Sequence, residues 1–141
     1  MKKLILIVLA MALISSISFS QVWYPANQKT IAWDAVTQCD DGSPIPAGET
    51  VRYQIYIALE SDLDKANKVN VGATTATSHL ITFPEGKWFV GIFSERMQGE
   101  TVVSTSASIS WSNDTVVCQN GETFGISFFR MLKNVINLRP M

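Results

Sequence analysis

Residues 51–57, VRYQIYI, put Val51, Tyr53, Ile55 and Ile57 on one side of an extended chain and Arg52, Gln54 and Tyr56 on the other. A period of two suits a strand half-buried against a core; a helix would scatter the same apolar set around its surface. The pattern recurs. Residues 29–36 (KTIAWDAV) carry Ile31 and Trp33 at alternate positions, and residues 87–94 (KWFVGIFS) align Trp88, Val90 and Ile92. Residues 75–83 are rich in β-branched side chains, and residues 102–111 (VVSTSASISW) alternate Ala107, Ile109 and Trp111 with serines. Turn formers separate these runs: Asp40-Asp41-Gly42 followed by Pro44 and Pro46, then Pro84-Glu85-Gly86, then Gln98-Gly99-Glu100. The polar stretch 60–70 (ESDLDKANKVN) reads as one helical turn or a loop between strands. Short strands with a turn about every 8–12 residues predict an all-β sandwich or barrel. Trp33, Tyr53, Ile55, Trp88, Val90 and Ile92 are the large core candidates, each contributing about 1.5–3 kcal/mol when buried.

The first 20 residues follow a different logic. Lys2 and Lys3 precede an apolar run from Leu4 to Ile14, and Ser18-Phe19-Ser20 offers a small-x-small cleavage point before Gln21. That is the layout of a secretory signal peptide, and the run meets serines too early to span a bilayer. The expected product begins at Gln21 and is secreted or periplasmic, with no membrane insertion after cleavage. Losing Lys2 and Lys3 takes the formal net charge from −1 to −3. A weakly acidic chain lacks the basic stripe that nucleic acid requires.

Candidates for bond chemistry are few. His79 is the single histidine, and no G-x-S-x-G elbow accompanies it. Cys39, Cys118 and His79 lack the paired spacing of a zinc site. Asp40, Asp41 and Glu49 share one loop and Glu60, Asp62 and Asp64 another; paired carboxylates serve glycoside hydrolysis or calcium binding. Asp62-x-Asp64 lacks the glycine and distal glutamate of an EF-hand loop, so these acids read as solvated turn residues. No Walker or dinucleotide glycine pattern is present. No catalytic residue, metal or cofactor is expected. Asn113-Asp114-Thr115 is a sequon of little weight beside a bacterial-looking leader.

IAWDAV, DGSPI, VRYQIYI, then TSHLITF, PEG and KWFVGIFSE, and a serine-rich last strand occur in an order that resembles a fibronectin type III domain of the bacterial and phage variety. The resemblance covers about residues 28–111. It implies an immunoglobulin-like Greek-key β-sandwich, with Trp33 as the second-strand core tryptophan, Tyr53 as the third-strand tyrosine, and Val90 and Ile92 facing inward. Trp88 stands where the family carries its corner tyrosine, and its indole N–H is the group left to replace the hydroxyl. Val36 departs from the usual alanine, and Cys39 is not a family feature. The resemblance implies a recognition or spacer module and no activity. No Arg-Gly-Asp is present, so integrin binding is not implied.

Residues 112–141 lie beyond the resemblance and form a C-terminal extension with a strand-like run at 123–131 (TFGISFFRM). The extension is expected to pack on the sandwich or to pair with a neighbouring subunit by strand addition. If Trp88, Val90 and Ile92 face inward, Phe89 and Phe93 face outward around Gly91, with Tyr56 on the adjoining strand. The C-terminal run, with Phe124, Phe128 and Phe129, is expected to cover these aromatics; left open, they would form a binding surface for protein or carbohydrate. Export to an oxidising compartment makes a Cys39–Cys118 disulfide the expectation, clamping the extension; two free thiols or an intermolecular bridge are the alternatives. The expected function is that of an exported, non-catalytic binding or spacer module. The alternative is a self-associating structural subunit of a virion or cell-surface assembly.

Overall fold

The structure is a computed structural model and describes residues 27–130. The expected leader, with its expected cleavage point after Ser20, and residues 131–141 lie outside the described residues. The described residues are all-β. In chain order the strands are β1 (Gln28–Trp33), β2 (Thr50–Leu59), β3 (Val69–Thr74), β4 (Ser78–Thr82), β5 (Gly86–Gln98), β6 (Thr101–Thr105), β7 (Ser110–Trp111), β8 (Val116–Gln119), β9 (Glu122–Gly125) and β10 (Phe128–Phe129).

Two sheets face each other as a β-sandwich. One has the order β10-β1-β4; the other runs β3-β2-β5-β8-β9, with β6 and β7 also paired to β5. Among the described residues the path begins in the smaller sheet with β1, crosses for β2 and β3, and returns as β4. It crosses again for β5 to β9 and comes back beside β1 as β10. The β2–β5 pair is the spine, in antiparallel register from Thr50↔Met97 to Leu59↔Trp88. Its inward row (Tyr53, Ile55, Ile57, Trp88, Val90, Ile92) meets Ile31, Trp33, Ile81 and Phe83 from the smaller sheet. All six core candidates from the sequence are buried.

β3 falls at the end of the stretch that reads as a polar loop. It is an edge strand, with Val69 and Asn70 exposed and Gly72 at its centre, so it carries little of the alternation that betrays a strand. The serine-rich run 102–111 divides into β6 and β7, and Ser106 and Ser112 mark the two breaks beside β7. Ser106 N donates to Ser94 O (2.8 Å) while Ser94 N donates to Ser106 Oγ (3.1 Å). Ser112 and Val90 repeat the arrangement (2.8 and 3.1 Å). Each hydroxyl stands in for a backbone acceptor, so both serines are buried without leaving β5 amides unpaired.

Two polar contacts pin the core. Trp88 Nε1 donates to Pro84 O, four residues back, at 2.9 Å, so the indole N–H does make a corner hydrogen bond. Trp33 packs edge-on against Tyr53 at a centroid distance of 5.5 Å, and Val36 N donates to Tyr53 Oη at 2.9 Å. Burial raises the Tyr53 phenol above its ordinary value, and the Val36 hydrogen bond opposes this only in part. Above about pH 10 the unfolded chain therefore ionises first and binds fewer protons than the folded one, so stability falls as pH rises. Tyr53→Phe should flatten that alkaline decline, measured as urea midpoints between pH 8 and 11. At neutral pH it should cost about 1–3 kcal/mol, because Val36 N is left without its acceptor.

Candidate binding surface

The outer face of the larger sheet carries every second residue of β2 and β5. On β2 these are Arg52, Gln54, Tyr56 and Ala58; on β5, Lys87, Phe89, Gly91, Phe93 and Glu95. Tyr56, Phe89 and Phe93 are half-buried, and Tyr56 lies directly across from Gly91. On the other side of Gly91 lies Trp111 of β7. A Cβ added to Gly91 would sit 2.5 Å from Ile109 Cγ2 and 2.7 Å from the Trp111 ring, so the missing side chain is what lets both settle onto the strand. Tyr56, Trp111, Ile109, Phe89 and Phe93 thus surround one glycine.

This answers what shields the outward phenylalanines. The C-terminal run does not cover them: Phe128 and Phe129 lie in the opposite sheet, and Phe124 is 54% exposed on the far side of Val117. Phe89 takes its cover instead from the loop after β2. Lys65 Nζ stands 4.8 Å from the centroid of Phe89 and 5.6 Å from that of Trp111, a cation over two aromatic faces. The loop is fixed in turn: Asn67 N donates to Asp62 Oδ2 (2.8 Å), Lys65 N donates to Asp62 O (3.0 Å), and Lys65 takes a left-handed backbone (φ 55°).

Next to the aromatics runs a ladder of planar polar groups. Glu95 Oε2 accepts from Arg52 Nε (2.7 Å) and Gln54 Nε2 (3.1 Å), and Gln54 Oε1 accepts from Asn70 Nδ2 (3.0 Å). Lys87 and Glu60 form an ion pair at 3.4 Å at the other end of the face. The surface is therefore apolar at its centre and polar at its rim. Alternation put Trp111 in a strand; only the pairing across Gly91 puts it on this face.

The acidic candidates do not converge. Asp41 sits in an exposed turn, and its carboxyl is held below its usual range by the Ser43 hydroxyl and Ser43 N–H (N···Oδ1 2.9 Å). Asp40 is exposed in the same loop and Asp64 in the other, where Asp62 ties the chain; Glu49 pairs with Arg96 at 2.8 Å. Among the described residues no group of three or more His, Cys, Asp or Glu side chains is placed to hold a metal ion. His79, on β4, packs its imidazole over Gly72 of β3, where a Cβ would come within 2.6 Å of Nε2. An open groove of about 520 Å³ lies over Val36, Val51 and Tyr53, but its one charged lining group is Glu49.

The expected Cys39–Cys118 disulfide is not formed; both thiols are free and buried. Cys118 pairs across from Gly86 at the start of β5, whereas Cys39 Sγ meets Arg96 Nη1 (3.4 Å) near its end. Ten residues of strand, about 33 Å, separate Gly86 from Arg96. A disulfide tolerates a Cα separation of only about 4.4–6.8 Å. Burial raises the Cys118 thiol above its ordinary value, with the nearby Glu85 charge acting in the same direction. Alkylation followed by non-reducing mass spectrometry should find no intramolecular bond, and Cys118 should react only after denaturation.

No protein-family model, curated protein or solved structure matches this chain.

Proposed function

We propose that the protein is a non-catalytic, fibronectin type III-like binding module that acts after export, recognising a protein or carbohydrate through the outer face of its larger sheet. The aromatic cluster around Gly91 is the observation that carries this reading: Tyr56, Phe89, Phe93 and Trp111 gather on one sheet face, held in place by Lys65 and by the Glu95 ladder. Rigid aromatics of limited side-chain freedom are the residues that most often dominate binding energy. Cosedimentation with cell-envelope preparations tests the face. Phe93→Ala should weaken it at least tenfold, while Leu80→Ala on the opposite sheet should leave it unchanged. Retention of full binding by Phe93→Ala would remove this surface from consideration.

A structural subunit that docks through its C-terminal strand is a second reading. It draws support from β10, which meets β1 in parallel at only Ala32↔Phe128 and Trp33↔Phe129, with Phe128 53% exposed. A mass that rises with concentration in light scattering, and falls to the monomer when residues 126–141 are deleted, is its expected signature.

A further inference from the structure

We infer that the ligand of this face is an acidic glycan, a polysaccharide bearing uronate carboxylates; the inference rests on the proposed role of the outer face. Three neighbouring features match three parts of such a sugar. Tyr56 and Trp111 flank Gly91 across two strand spacings, about 10 Å, with half-buried Phe93 beside them on β5. A pyranose laid on such a surface sets its C–H face against aromatic rings. Beside the rings, Arg52, Gln54, Asn70 and Glu95 are already ordered by hydrogen bonds to one another. Their remaining donors and acceptors suit ring hydroxyls, and groups fixed before binding lose little freedom on binding.

The third feature is charge. Of the cations on or over this face, Arg52 is paired with Glu95 and Lys87 with Glu60. Lys65 is engaged by two aromatic rings and by Leu63 O at 3.4 Å, and no ion pair among the described residues involves it. Its ammonium therefore keeps donors for an incoming carboxylate, at a position that the Asp62 loop bonds fix over Phe89 and Trp111. An apolar peptide would use the rings and leave both the ladder and the ammonium unsatisfied. A neutral glycan would leave the ammonium unmatched. A uronate satisfies all three.

Affinity electrophoresis of the exported protein at pH 7, in native gels containing polygalacturonate, alginate or a neutral glucan, tests the assignment. Retardation is expected in the two uronate gels and not in the glucan gel. Lys65→Met, which keeps most of the side chain without its charge, should weaken uronate binding about tenfold, Lys65→Arg should retain it, and Tyr56→Ala should weaken it at least as much as Lys65→Met. Equal retardation by the neutral glucan, or uronate binding that survives both Lys65→Met and Tyr56→Ala, overturns the assignment. No uronate retardation also overturns it; if Phe93→Ala then still abolishes envelope cosedimentation, the face stands and only its ligand class falls. If cosedimentation too is insensitive to Phe93→Ala, both readings fail.

Discussion

Arg96→Ala is expected to lower the unfolding free energy by about 3–5 kcal/mol, the range for removing one partner of a buried ion pair. The Arg96 side chain is 6% exposed and lies at the end of the sandwich, with Nε 2.8 Å from Glu49 Oε2 and Nη1 3.4 Å from Cys39 Sγ. Alanine leaves the Glu49 carboxylate, itself 14% exposed, without its counter-charge, and opens the space beside the thiol. Two further measurements separate charge from packing. Arg96→Met with Glu49→Leu should recover much of the loss, since no uncompensated charge then remains. In Arg96→Ala alone, Cys39 should become reactive toward a thiol reagent under native conditions while Cys118 stays protected. A chemical denaturation series on the three proteins decides the matter. A double variant as unstable as the single one would mean that the arginine acts through its volume.

Gly125→Ala should destabilise by about 2–6 kcal/mol, summing backbone strain and overpacking. Gly125 closes β9 with φ at 102°, and a Cβ there would come within 2.3 Å of Thr115 O, a backbone atom with no rotamer to yield. Relief requires β9 to move off β8. That would disturb the crossing to β10, where Ile126 and Phe129 pack against the core and Ala32 N donates to Ser127 O at 2.8 Å. Proteolysis should then cut near residue 125 in the folded protein. Gly99→Ala is the control: φ is also positive at 60°, but nothing lies within 4 Å, so strain acts there without a clash.

Alternation made the centre of this fold readable. Trp33, Tyr53, Ile55, Trp88, Val90 and Ile92 stand in strands with one wet face and one dry face, and a period of two reports that contrast directly. It also put Tyr56, Phe89 and Phe93 together. Period alone does not say which face is dry, however. Ile109 and Trp111 alternate with serines, yet Ser106, Ser110 and Ser112 are the buried ones: the Ser106 and Ser112 hydroxyls bond to β5, and the two large residues lie over Gly91. β3 was illegible because an edge strand with a central glycine has little to alternate. The cysteines misled for a geometric reason: a count of two permits one pairing, but distance along β5 forbids it.

The pairing of β1 with β10 joins segments almost a hundred residues apart. Thr123 Oγ1 bonds Gln28 O across 95 positions, and Trp33 waits for Phe129. Pairings so distant in sequence slow folding, because a long loop must close before they contribute. A chain still emerging from the ribosome can form the β2–β5 spine but cannot seal the flank beside β1. Until β10 is made, the Ile31–Trp33 side of the core lacks that flanking strand, and apolar surface left open in this way is prone to aggregate. Sealing of the β1 flank is therefore a late step, one that waits on β10.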